Sequence, residues 1–160
     1  MSAWEERSRD AARLFNPAFL ATIMAAAAAD YERSSNEPMP WLLSFAIPPL
    51  ALTESTRHAM PASIRAHFAN WLDEHPEIRL GFARRAPALT PLTREALRLG
   101  VRTDLLSLED GYLRALRRPG GAQDTSDEVK DCLHASRFFG RWFASRHDPT
   151  TIFGLLGVRP

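Results

Sequence analysis

The chain has 160 residues, 45% of them hydrophobic, a formal net charge of +1 and one cysteine, Cys132. That length holds one domain or a compact pair of subdomains, the apolar content excludes a disordered chain, and the charge makes no global demand for nucleic acid or membrane. A lone cysteine excludes an intrachain disulfide and a cysteine-cluster metal site, and it fits a reducing cytosol.

The chain opens "MSAWEERSRD", with acids where a secretory leader would be apolar, so no signal peptide is expected and the localisation read from the sequence is cytoplasmic. Phe19 to Ala29 is the longest early apolar run, too short and too rich in alanine to span a bilayer. Asn16 before Pro17 marks a helix start, and the predicted helix runs to Ser34. Phe19, Leu20, Ile23 and Met24 give it an apolar face, and its alanines permit close approach by a neighbour. From Trp41 to Leu52 the chain is apolar throughout. Pro48 and Pro49 there argue for a buried extended or short helical connector.

Helices are predicted at Thr53–Met60, Ala62–Glu74, Pro76–Arg85 and Pro91–Arg102, the last capped by Thr90. Asp110-Gly111, flanked by Leu106, Leu108 and Tyr112, is a strong turn signal between two short strands. Short helices followed by a β-hairpin are the element order of a winged helix, here over about 53–118. "RRPGGAQDTS" reads as a linker, and Thr125 with Glu128 has the spacing of a capping box. A long helix follows from Ser126 to Ser145, and Asp148-Pro149 starts a last short one. The expected fold is a single compact domain over 1–160, mainly α with a small β-hairpin, ending in a docking helix and apolar tail over about 126–160.

Two constellations stand out. Arg94, Arg98 and Arg102 lie at i, i+4 and i+8, opposite Leu92, Ala96 and Leu99. From Arg79 to Arg118 nine arginines face four acids. That is a candidate DNA-binding face, since arginine reads guanine or holds phosphate. The more ordinary reading is the solvated face of a helix in a chain whose only lysine is Lys130. The second constellation is Phe138, Phe139, Trp142 and Phe143 on one helical face, followed by Phe153, Leu155 and Leu156. Such stripes usually close a chain's own core. The alternative is apolar surface for a partner, which makes these seven the candidate partner-binding residues.

Catalytic signatures are missing: the sequence has no GxxxxGK[ST], HExxH, GxSxG or CxxC. The five histidines are scattered, although His58 with His67, or His134 with Asp131, are pairs that folding can bring together. Asp127, Glu128 and Asp131 suit the first turns of a helix electrostatically. No catalytic residue, metal ligand or cofactor is expected.

The stretches "LFNPAFLATIMAAAAADYE", "RLGFARRAPALTPLTREALRLG" and "SDEVKDCLHASRFFGRWFA…DPTTIFGLLGVRP" resemble the middle component of bacterial three-component ABC systems (ABC-3C), which include Lamassu-type defence systems. The resemblance runs from Phe15 to Pro160. It implies a small non-enzymatic adaptor with a winged-helix-like part. Its implied partners are an SMC- or Rad50-like ABC ATPase and an effector, often a nuclease, in a complex that senses invading phage or plasmid DNA. The family brings no catalytic residues. The alternative function is a winged-helix DNA-binding transcriptional regulator, carried by Arg94, Arg98 and Arg102. An enzyme is the third and weakest reading.

Overall fold

The structure is a computed structural model that describes residues 15–119, 126–146 and 148–159. The expected linker tip, the capping box residue Thr125 and the amino-terminal ten residues lie outside them. The chain is mainly helical with a small antiparallel sheet, as expected.

Helix α1, Pro17–Ser35, begins where the sequence places it: the Asn16 side chain accepts from the Ala18 amide at 2.8 Å. It ends at Asn36, whose φ of 60° puts it in the left-handed conformation that stops helices. The apolar face is wider than expected. Leu20, Ala21 and every residue from Ile23 to Ala28 are buried, so α1 is a central helix enclosed on most sides.

After α1 comes a two-residue strand β1, Met39–Pro40, then a 3-10 turn over Trp41–Phe45 and the short helix α2, Ile47–Ala51. The connector takes the short helical form of the two expected, with Pro48 and Pro49 in the first turn of α2, where the amides have no intrahelical acceptors anyway. Helix α3 spans Glu54–Ala59. The predicted helix from Ala62 is shorter than expected: α4 starts at Phe68 and ends at Glu74.

The larger correction concerns α5. Two helices separated near Pro87 were expected, with Thr90 as a cap; one helix of 27 residues, Pro76–Arg102, is present. An interior proline ordinarily costs about 3 kcal/mol through its missing amide and its clash with the preceding turn. Here Pro87 and Pro91 both sit on the exposed side, where water can solvate freed carbonyls and a gently curved helix already stretches its hydrogen bonds. Thr90 is an interior residue whose hydroxyl donates to the Ala86 carbonyl at 2.8 Å.

Strands β2, Leu106–Glu109, and β3, Tyr112–Ala115, form the expected hairpin. Asp110 and Gly111 have φ of 53° and 83°, the pair of positive values that a two-residue hairpin turn requires. The third strand was not foreseen: β1 pairs with β3, Met39 opposite Leu113, giving the order β1-β3-β2.

Helix α6, Asp127–Arg146, and helix α7, Pro149–Leu155, close the chain. Asp148 caps α7 by accepting from the Thr151 amide at 2.8 Å. Helix α6 lies along α1, the most extensive contact between any two elements. Gly140 makes this possible. A Cβ there would overlap the Ala27 carbonyl and sit 3.0 Å from the Ala27 Cα.

A buried carboxylate holds the polar edge of the same contact. Asp30, 3% exposed, accepts from Arg141 of α6 at 2.8 Å and from Arg33 at 3.2 Å, and Arg118 lies 3.8 Å away. Nothing at the sequence level distinguished this aspartate beyond its isolation among alanines.

Two expectations follow from this packing. Gly140→Ala forces α1 and α6 apart and lowers stability by about 2–3 kcal/mol in chemical denaturation, whereas Gly154→Ala, with nothing within 4 Å, is neutral or slightly stabilising. Equal effects of the two changes would refute the close-approach account. Asp30→Ala strands a charge-assisted hydrogen bond and costs about 2 kcal/mol, while Arg33→Ala, an exposed partner, costs under about 0.5 kcal/mol in the same assay.

Candidate interaction surface

The expected partner-binding stripe lies inside the molecule. Phe138, Phe139, Trp142, Phe143, Phe153 and Leu156 are all buried in the chain's own core, and Leu155 is half-buried. The rings of Trp142 and Phe143 meet Phe68 edge to face at 5.0 and 5.6 Å, and Trp142 meets Trp71 at 5.2 Å. Both indole donors are satisfied by backbone. Trp142 donates to the Ala66 carbonyl at 2.9 Å and Trp71 to that of Ala59 at 2.7 Å, which ties the irregular segment before α4 to the cluster. These side chains are therefore not free to contact a partner in this conformation, and the candidate surface has to be sought elsewhere.

The apolar tail is likewise folded in. The Gly157 amide donates to the Gly154 carbonyl at 3.1 Å and the Val158 amide to that of Phe153 at 3.0 Å. With Gly157 at φ 82°, this is a Schellman stop to α7, and only glycine adopts that backbone without strain.

The outward face of α5 is the surface the fold leaves open. Leu80, Arg84, Pro87, Pro91, Arg94, Arg98 and Arg102 recur every three or four residues, and all are exposed. Leu80 is 70% exposed. Ile78, Phe82, Leu89, Thr93, Ala96, Leu97 and Gly100 hold the opposite side in the core. Of the apolar positions expected opposite the arginines, Ala96 is buried and Leu92 and Leu99 are half-buried.

The three candidate arginines, Arg94, Arg98 and Arg102, form no hydrogen bond or ion pair among the described residues. Those of the hairpin and the chain after it are engaged: Arg114 with Glu32 at 3.3 Å, Arg117 with the Thr103 carbonyl at 3.0 Å, Arg118 with Asp30. The local surplus of positive charge is thus concentrated, unpaired, on α5.

The fold also divides the three. Arg98 and Arg102 line a cleft of about 500 Å³ between the end of α5 and β2, with Glu95, Leu97, Val101 and Leu108. Val101 and Leu108 are each 42% exposed. Arg94 instead faces a separate groove further up the helix. Spacing alone put the three on one line; the hairpin, packed beside the last turns of α5, separates them.

No group of three or more His, Cys, Asp or Glu among the described residues is placed to hold a metal ion. His58 faces Glu54 at 3.8 Å on α3, and His75, between α4 and α5, faces Glu77 at 3.3 Å, both pairs local in sequence. Cys132 is buried, and burial pushes its thiol up to about 11, so at neutral pH it is a protonated core residue and a poor nucleophile. No helix among the described residues is long and apolar enough to cross a membrane.

The arrangement is one of exposed grooves on a helical scaffold. A family model described as ABC-three component (ABC-3C) system Middle Component 3 matches residues 4–160, nearly the whole chain. No curated protein and no solved structure matches it. A middle component belongs to a system of several subunits, in keeping with surfaces that the chain leaves uncovered. The chain belongs to the ABC-three component system Middle Component 3 family, a middle component of ABC-three component defence systems.

Proposed function

We propose that this chain is a non-enzymatic adaptor subunit. It links an SMC- or Rad50-like ABC ATPase to an effector nuclease in an anti-phage, anti-plasmid complex of the Lamassu type. The observation that carries the reading is the cleft at the end of α5, where unpaired Arg98 and Arg102 flank exposed Val101 and Leu108. Apolar side chains rimmed by charged ones, here Arg98, Arg102 and Glu95, are the composition of a protein interface. In this reading the aromatic core of α4 and α6 is the rigid base that presents the cleft, and the effector is held until DNA is sensed.

The test is co-expression with the ATPase and effector genes and recovery on a tag placed on this chain. The wild-type chain is expected to recover both. Arg98→Glu with Leu108→Glu loses at least one of them while leaving the melting temperature within a few degrees, since both side chains are exposed. Recovery of neither subunit by the wild type would sink the adaptor reading. Unchanged recovery with the variant would remove this cleft from it. Deleting the chain after Ser145 does not serve, because it would strip Ile152, Phe153 and Leu156 from the core.

A second reading is a winged-helix DNA-binding regulator. What favours it is the element order α1-β1-helices-α5-β2-β3 with sheet order β1-β3-β2, which puts α5 immediately before the wing-like hairpin. Its expected outcome is duplex binding whose affinity falls steeply with salt, the log–log slope diminishing by about 1 on Arg98→Ala. A flat salt response, untouched by that change, would eliminate it.

A further inference from the structure

Upstream of the cleft, α5 forms one wall of a groove of about 480 Å³. Trp41 and Phe45 of the 3-10 turn form another, and the end of the chain, through Phe153, Val158 and Arg159, a third. The lining is mostly apolar. Among the described residues its charged members are Arg94 and Arg159, on two different walls, and no carboxylate lines it. Both arginines are exposed, and neither forms an ion pair among the described residues.

The walls are held in place by the fold. Trp41 packs edge to face on Phe45, with centroids 5.4 Å apart. The Phe153 side chain is anchored in the core. The Schellman turn at Gly157 sends Val158 and Arg159 back toward α5. Pro87 and Ala86 leave the helix surface low at this point, and the Thr90 hydroxyl is directed at the Ala86 carbonyl.

We infer that this groove binds a short peptide segment of a partner subunit, in which a bulky apolar side chain adjoins one or two carboxylates. The apolar side chain fills the space between Trp41, Phe45 and Pro87. Arg94 and Arg159 take the carboxylates, for which the guanidinium fork is the matching donor. Charge complementarity selects the acid: two unpaired cations beside an apolar lining attract anions and disfavour basic segments. A single-stranded nucleic acid fits the lining less well. Base recognition needs a free aromatic face and donors or acceptors for base edges. The Thr90 hydroxyl in the lining is already engaged with the Ala86 carbonyl. The inference deepens the adaptor proposal and rests on it only for the source of the peptide.

The experiment is selection of a displayed random 12-residue peptide library on the full chain, followed by titration calorimetry with the enriched peptides. Enrichment of an aromatic or leucine beside Asp or Glu is expected. Arg94→Glu with Arg159→Glu weakens those peptides at least about tenfold at unchanged melting temperature, and peptides with lysine in place of the acids then bind the variant better than the wild type. Enrichment without acids, or affinity indifferent to both substitutions, overturns the inference. So does displacement of the peptides by a twelve-nucleotide oligo-dT with the same arginine dependence, which assigns the groove to single strands. Self-association in sedimentation, relieved by the two substitutions, overturns it in favour of a second copy of this chain. If tagged chain recovers its co-expressed subunits but the library yields no acidic, apolar consensus, the groove inference fails and the adaptor reading stands. The opposite pair of results fails the adaptor reading alone.

Discussion

The close approach of α1 and α6 at Gly140 is the constraint on which the other packing relations depend. Backbone touches backbone there, Gly140 against Ala27, because neither helix presents a side chain larger than methyl at the crossing. The alanine run Ala25–Ala28 supplies little apolar area of its own, and its value lies in distance. With the two helices this near, the aromatic half of α6 reaches α4, and dispersion over many close contacts replaces the burial that larger side chains on α1 would have given. The polar edge of the crossing is closed by Asp30 and its arginines, which a buried carboxylate needs if it is to stay in the core. Met39 and Leu113 then complete the enclosure of α1 from the sheet side.

Because α1 is enclosed on most sides, little of it is left to meet another protein. The uncovered material is on α5, a helix too long for one core to cover. Its inward side is aliphatic and aromatic; its outward side carries both interior prolines and the unpaired arginines. Prolines on the outward side let the helix bend around the core without unsatisfied buried carbonyls. They also keep that surface free of bulk, which gives the groove at Trp41 its depth. One helix thus serves as core wall, as floor of the groove and as edge of the cleft beside β2.

The aromatic density near the carboxyl end has a structural cause. The segment from Met60 to His67 has no regular structure of its own, and the indole N–H groups of Trp71 and Trp142 fix its two ends by donating to the backbone carbonyls of Ala59 and Ala66. Helix α7 and its glycine stop then cover the aromatic cluster's neighbours with Ile152, Phe153 and Leu156. A closing segment of this kind places Val158 and Arg159 at the edge of the groove beside Trp41, and its aromatic rings stay inside.

The sequence by itself determined the features that a few neighbouring residues encode. Asn16 and Asp148 cap helices because their side chains reach an amide two or three residues on. Asp110-Gly111 turns a hairpin because both residues accept positive φ. The amphipathic period of α6 and the long-range resemblance to a middle component were likewise written in the order of residues. Tertiary structure decided the rest. Whether Pro87 and Pro91 end a helix depends on which side of it the solvent lies. Whether Phe139 and Trp142 face a core or a partner depends on Phe68 and Trp71, some seventy residues earlier. That Asp30 is buried and matched depends on Arg141, 111 positions away. A third strand of two residues exists only because β3 offers it an edge. Local propensity carries no information about such contacts: their energies come from burial and from pairing across the chain, and both are defined only once the helices have docked.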